Sequence, residues 1–154
     1  MLETKRLKLV PLTHEQLVLY KYNPVALAEN IGVRYLEREN DPATADDLKD
    51  AIEFWLKNTL EKPNTFEWCT NWEIILKADQ VAIGGIGYAG APDSEGKSEI
   101  GYGIDVRYFN KGYASEAVQS MLEWGFSHSH LRKVIAQTPV GHPASQKVLI
   151  NNGF

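Results

Sequence analysis

Apolar and polar positions along the chain change period several times, and each change marks an element. The first run, RLKLVPL (residues 6–12), alternates until Pro11 and predicts a short edge strand, because proline cannot donate to a sheet ladder. Thr13 with Gln16 three residues on is a capping-box pair, so a helix is predicted from Thr13 toward Asn30. Thr44 then precedes Leu48, Ala51, Ile52, Trp55, Leu56 and Leu60 at helical spacing, with acids in the first turn where the helix dipole favours them. That helix ends near Lys62-Pro63. WEIILKA (72–78) and VAIGGIGYA (81–89) read as consecutive antiparallel strands, and a loop separates them from a third, SEIGYGIDV (98–106). A helix is expected from Tyr113 to Ser129, with Ala117, Val118, Met121, Leu122 and Phe126 as its buried stripe. KVIAQTPV (133–140) reads as a strand, and PASQKVLINNG (143–153) as a closing helix capped by Gly153.

The resulting order, β-α-α-β-β-β-α-β-α, predicts an α+β fold in a single domain: a mixed, mostly antiparallel central sheet with helices on both faces. At 154 residues such a domain buries roughly two-thirds of its unfolded surface. The composition adds mainly exclusions. A net charge of -4 offers no general attraction for nucleic acid or an anionic membrane, so any anion is expected to be bound locally. No run is long and apolar enough for a signal peptide or a membrane span, which points to a cytoplasmic protein. The only cysteine, Cys69, excludes an internal disulfide and a multi-cysteine metal site, and no metal is expected.

Candidate chemistry begins with the glycines. Gly85 to Gly90 contains G-x-G-x-x-G, but a loop composition follows where a dinucleotide fold needs a helix, so a hairpin strand thinned by glycine is the better account. The turn RYFNKG (107–112) is different. It carries no acid, it lies between a strand and a helix, and the free amides of a helix start attract anions. On these residues alone it is either a phosphate site or a tight turn with Asn110 and Gly112 at positive φ. In the preceding strand, alternation places Glu99, Gly101, Gly103 and Asp105 on one nearly bare face, and Ile100, Tyr102, Ile104 and Val106 on the other. Such bareness suits the close approach of another extended chain.

Taken together, four segments resemble the GNAT superfamily of acetyl-CoA-dependent N-acetyltransferases, in the branch of the bacterial ribosomal-protein N-terminal acetyltransferases. LETKRLKLVPLT resembles the opening of that branch, EIGYGI its EIGYWL strand, FNKGYASEA its WGKGYATEA loop and helix, and HPASQKVLINNGF its NxxSxxVLEKxGF helix. The resemblance implies acetyl-CoA as co-substrate. It places the pyrophosphate at Asn110, Lys111, Gly112, Tyr113, Ala114 and Ser115, and the pantetheine arm along Ile104 and Val106. His142, where the branch has Asn, is a candidate ligand contact, and Gly103 stands where the branch has Trp. Many superfamily members protonate the leaving thiolate with a tyrosine of the last helix, but the matching position here is Leu149, which leaves Ser145 as the candidate donor and a helix cap as its alternative role. Glu99 is the candidate general base, with a surface carboxylate as the plainer reading.

The acceptor implied is a primary amine of a peptide or protein N-terminus, with small-molecule amines as the alternative and a catalytically weak acyl-CoA-binding or interaction domain as a reading from another class. Related enzymes continue past the matching NNGF into two further strands. The chain is therefore expected to be C-terminally incomplete and to lack the last two strands, or to cover the edge left at KVIAQTPV by forming a homo-oligomer or binding another partner.

Overall fold

Leucines at alternate positions make the first predicted strand, yet it does not lie at an edge. A computed structural model describes residues 1–138 and 141–154. Among them, one sheet runs in the order β1 (Leu2–Glu3), β2 (Leu7–Pro11), β3 (Trp72–Leu76), β4 (Val81–Tyr88), β5 (Lys97–Ile104) and β6 (Lys133–Ile135). Leu9 of β2 pairs with Leu2 on one side and with Ile74 on the other, so the two-residue β1 supplies the edge instead. Pro11 is tolerated because it ends the strand. All neighbours are antiparallel except β5 and β6, which are parallel.

The helix expected over residues 13–30 is two helices. Thr13 forms the predicted capping box with Gln16 and starts α1 (His14–Tyr22), but α2 (Pro24–Ile31) is a separate element. Proline has no N–H to continue the ladder and disfavours a helical residue before it. Asn23 accordingly sits at φ -151°, closing α1 through its own N–H and capping α2 as its Oδ1 accepts from the N–H of Ala26 at 3.2 Å.

The remaining helices are α3 (Ala45–Glu61), α4 (Tyr113–Phe126) and α5 (Pro143–Asn151). Ala117, Val118 and Met121 of α4 are fully buried against a sheet face built by Leu7, Leu9, Ile74, Ile83, Ile86 and Ile100. Phe126 departs from the expected stripe and is half exposed. Gly125 takes the inward place instead, because a Cβ there would stand 2.3 Å from the hydroxyl of Tyr88. On the opposite face Leu12, Leu17 and Leu27 form a second core with Tyr20, Trp55 and Leu56 of α1 and α3. β6 stops at Ile135, short of the strand expected over 133–140, whose Pro139 and Val140 lie outside the described residues. None of the described helices is long and apolar enough to cross a membrane.

Candidate active site

The two glycine-bearing strands lie side by side in a register that sets glycine against glycine: Gly85 opposite Gly103, and Gly87 opposite Gly101. The four are bare for different reasons. A Cβ on Gly85 would strike Asn71 Oδ1 at 2.2 Å and one on Gly87 the carbonyl of Thr70 at 2.5 Å, so the β4 glycines let the chain before β3 pass close by. Gly101 and Gly103 meet nothing within 4 Å and leave an open floor. Alternation on β5 holds from Glu99 to Ile104 and then breaks. Asp105, expected on the bare face, is wholly buried and accepts hydrogen bonds from the N–H groups of Glu39 and Arg107 and from Arg107 Nε and Nη2 at 2.7–3.0 Å. Burial pushes its carboxyl up, and the Arg107 and backbone donors outweigh that effect, holding it below the usual carboxylate range.

A gap opens beside this floor. β6 pairs with β5 only from Lys97 to Glu99, and beyond Ile135 the two diverge. The Glu99 carbonyl accepts from Ala89 and the Asp105 N–H donates to Ile83, so the odd-numbered residues of β5 turn their backbone groups toward β4. By the same alternation Tyr102 and Ile104 turn theirs toward the side that β6 has left. The resulting cleft holds about 740 Å³. It extends from Glu99 and the glycine floor, past Tyr102 and Ile104, to the start of α4, with His142, Ser145 and Val148 of the α5 region also on its wall.

At the α4 end the backbone itself forms the site. Asn110 and Gly112 have φ of 61° and 81°, and no side chain caps the helix. Glu116 is the first α4 residue whose N–H reaches back to a carbonyl, that of Gly112, so the amides of Tyr113, Ala114 and Ser115 have no partner among the described residues. The Ser115 hydroxyl faces α5 and accepts from Asn152 Nδ2 at 3.1 Å. Glu116 adds little negative charge here. Burial pushes its carboxyl up, but the Thr4 hydroxyl at 2.6 Å and the N–H and Nε of Arg6 at 2.9 and 2.7 Å outweigh that and hold it low. Arg6 also donates to the Lys111 carbonyl at 2.9 Å and lies 4.5 Å over the Tyr113 ring, placing a second cation at the turn. No local motif signals it, since Arg6 arrives from the other end of the chain. Lys111 and Val106, both expected at the cofactor, lie outside the cleft lining. Lys111 is exposed, and because β5 ends at Ile104, Val106 opens a 3-10 turn and donates its N–H to Glu39.

Across the gap, Ser145 is held twice. Its N–H donates to Nδ1 of His142 at 3.3 Å, and its Oγ lies 2.9 Å from the Tyr102 hydroxyl, which is also 3.1 Å from the Ser145 carbonyl. Burial pushes the Tyr102 phenol up, partly offset by the Ser145 hydrogen bond. His142, expected as a ligand contact, is the N-cap of α5 and also lies on the cleft wall. With Nδ1 accepting, a neutral His142 carries its proton on Nε2 and donates it to Asp41 at 2.9 Å. The Asp41 carboxyl is held low first by the N–H of Ala43 and then by His142. Asp41, Asn40 and Arg38 belong to an unpatterned segment between α2 and α3 that lines the cleft, and Arg38 is anchored to buried Glu73 at 3.3 Å. Sequence reasoning missed all three, because Arg38 and Asp41 meet Glu73 and His142 only across 35 and 101 residues of chain. Among the described residues no cluster of three His, Cys, Asp or Glu is placed to hold a metal ion.

Comparison with known proteins agrees with this architecture. The Acetyltransferase (GNAT) domain family matches residues 6–154. An N-acetyltransferase of Bacillus subtilis, YjdG, itself uncharacterized, is 32% identical over 108 residues, or 70% of this chain, and that stretch spans 64% of the relative's length. Among solved structures, the ribosomal-protein-S5-alanine acetyltransferase of Vibrio fischeri superposes with a TM-score of 0.66 at 19% identity, covering 99% of this chain and 81% of that one. The ribosomal L7/L12 α-N-protein acetyltransferase RimL in complex with coenzyme A gives a TM-score of 0.66 at 13% identity, covering 98% and 81%. At those identities the likeness establishes the fold. With a family match that starts at β2 and runs to the last residue, the chain belongs to the GNAT acetyltransferase family.

Proposed function

We propose that the protein transfers an acetyl group from acetyl-CoA to a primary amine, that of a peptide or protein N-terminus. One observation carries this reading: the free edge of β5 at Tyr102 and Ile104 leads, within one cleft, to the uncapped start of α4. An amide-bearing arm can add to that edge as a strand does, and a pyrophosphate finds three unpartnered N–H groups at the positive end of a helix dipole, with Arg6 nearby. Charge-assisted hydrogen bonds of about 1.5–3 kcal/mol each then supply much of the roughly 8 kcal/mol of a micromolar affinity. The N-terminal acceptor draws support from the neighbours, since the RimL structure is of an α-N-protein acetyltransferase acting on L7/L12 and the Vibrio one is named for the alanine of S5.

Bound acetyl-CoA supplies an activated thioester. Glu99 stands where β5 and β6 begin to part, on the open-floor face, and takes the proton of the attacking amine, directly or through water. Ser145 faces the same cleft from α5 and protonates the leaving thiolate. Alternation puts Glu99 and Tyr102, the partner of Ser145, on opposite faces of β5, so base and donor address the gap from different sides. The test is release of free thiol from acetyl-CoA against a panel of N-terminal peptides and small amines. Glu99→Gln is expected to lower turnover with the best acceptor about 10²-fold while leaving acetyl-CoA affinity intact. Full turnover in that variant would return Glu99 to a surface role, and preference for small amines over every peptide would reassign the acceptor.

A further inference from the structure

Resting on the transfer reading above, we propose that Tyr102 is a positioning residue that acts through Ser145 and resupplies the proton which Ser145 delivers to the leaving thiolate. The geometry that carries this is the pair of contacts from one phenol. Tyr102 Oη lies 2.9 Å from Ser145 Oγ and 3.1 Å from the Ser145 carbonyl. While it donates to the carbonyl, it accepts the serine proton, and Oγ–H is held on the phenol oxygen. When it donates to Oγ instead, the serine proton is free to turn toward a sulfur in the gap. A single rotation of the phenolic hydrogen switches Ser145 between a parked and a donating state. The serine has little freedom otherwise, because His142, itself tied to Asp41, holds its backbone N–H.

Acidity supports the division of labour. An aliphatic hydroxyl is a far weaker acid than a phenol, whose ordinary pKa of about 10 lies much nearer that of a thiol, about 8.5. A serine alone would protonate a thiolate at a steep cost, and one backed by a phenol passes on a proton that the phenol replaces. A phenol is ordinarily protonated across the neutral range and burial pushes Tyr102 further that way, so the store is full when the thioester breaks.

Every atom in the step is accounted for. The amine nitrogen bonds to the thioester carbon as the carbonyl π pair moves onto oxygen and Glu99 removes the amine proton, and that pair returns to re-form the carbonyl when the sulfur departs. The C–S bond then breaks with its electron pair going to sulfur, which takes the proton from Ser145 Oγ as Oγ takes the one from Tyr102. The phenolate regains a proton from water and Glu99 returns the amine proton to water, the two transfers cancelling, as the thiol and the amide leave.

The experiment is a double-mutant cycle on kcat with the best acceptor of the panel. Tyr102→Phe is expected to lower kcat about 10²-fold with KM for acetyl-CoA unchanged, and to cost nothing further in a Ser145→Ala background. Multiplying losses would overturn the proposal, as would a Tyr102→Phe variant that keeps full kcat while the wild type turns over. Absence of thiol release by the wild type with every amine would overturn the transfer reading and this inference with it. A second measurement covers a phenylalanine variant that folds poorly. Replacing Tyr102 by difluorotyrosine, nearly isosteric but more acidic, should retain the fold and draw the alkaline fall of kcat to lower pH. An unmoved alkaline limb would mean that the hydroxyl is only structural.

Discussion

At the α4 end of the cleft the groups facing a ligand are main-chain amides of Tyr113, Ala114 and Ser115, presented by two positive-φ residues; at the opposite end they are side chains such as Arg38, Asp41 and Phe54 above a floor of glycine. The first end is a local device. Its amides are set by about six consecutive residues where a strand delivers the chain to a helix start, and only Arg6 joins them from far along the chain. The second is assembled from the loop before α3, α3 itself, β4 and β5, so its shape depends on how those elements pack. A backbone site offers every phosphate the same donors, whereas a side-chain site can be altered one residue at a time without disturbing the first.

That contrast can be broken most severely at Gly112. Gly112→Glu forces an anionic side chain into φ 81°, with its Cβ 3.2 Å from Arg6 Nη2 and its charge at the phosphate position. Acetyl-CoA affinity by calorimetry should fall at least about 10²-fold in a folded protein, since a like charge replaces several charge-assisted hydrogen bonds. Unchanged affinity would remove the α4 start from the site.

A smaller effect, on stability rather than binding, is expected where the two ends are joined. Asp105 ties the turn after β5 to the wall segment through Glu39 and Arg107. Asp105→Asn should cost about 2 kcal/mol, or roughly 4–8 °C in melting temperature, because it points amide hydrogens at groups that are themselves donors. The pH dependence has a definite sign. Carboxyls held below their ordinary range, as at Asp105 and Glu116, contribute stability that is present above about pH 4 and is lost as pH falls through the folded-state value. The Asn variant should therefore lose less stability than the wild type on acidification, and parallel melting curves would show that Asp105 is not among the groups responsible.

The mildest change sharpens the contrast from the acceptor side. Gly103 has open space above it, so Gly103→Trp should fold normally and fill part of the acceptor end. The acceptor KM is expected to rise about tenfold with acetyl-CoA affinity unchanged, which corresponds to the loss of one modest contact region. If acetyl-CoA affinity falls equally, the two ends are not independent and the cleft must be treated as one site.

Features that depend on near neighbours were legible in the chain itself. The capping box at Thr13, the span of α3, the strands of the β3–β4 hairpin, the alternation of β5 as far as Ile104 and the positive-φ turn before α4 all follow from contacts within a few residues, where spacing and stereochemistry decide. Pro24 was a local signal too, and it outweighed a helical pattern that otherwise continued. Other features needed the folded structure because they are decided by distance in space. Nothing near Arg6 or Glu116 announces that they will meet, nothing in the segment around Arg38 and Asp41 has a period, and the pairing of Gly85 with Gly103 depends on register between strands. Asp105 shows why. A two-residue alternation predicts an exposed carboxylate there, but the strand ends one residue earlier, and once the ladder stops, the hydrogen-bond donors of Glu39 and Arg107 determine where the side chain points.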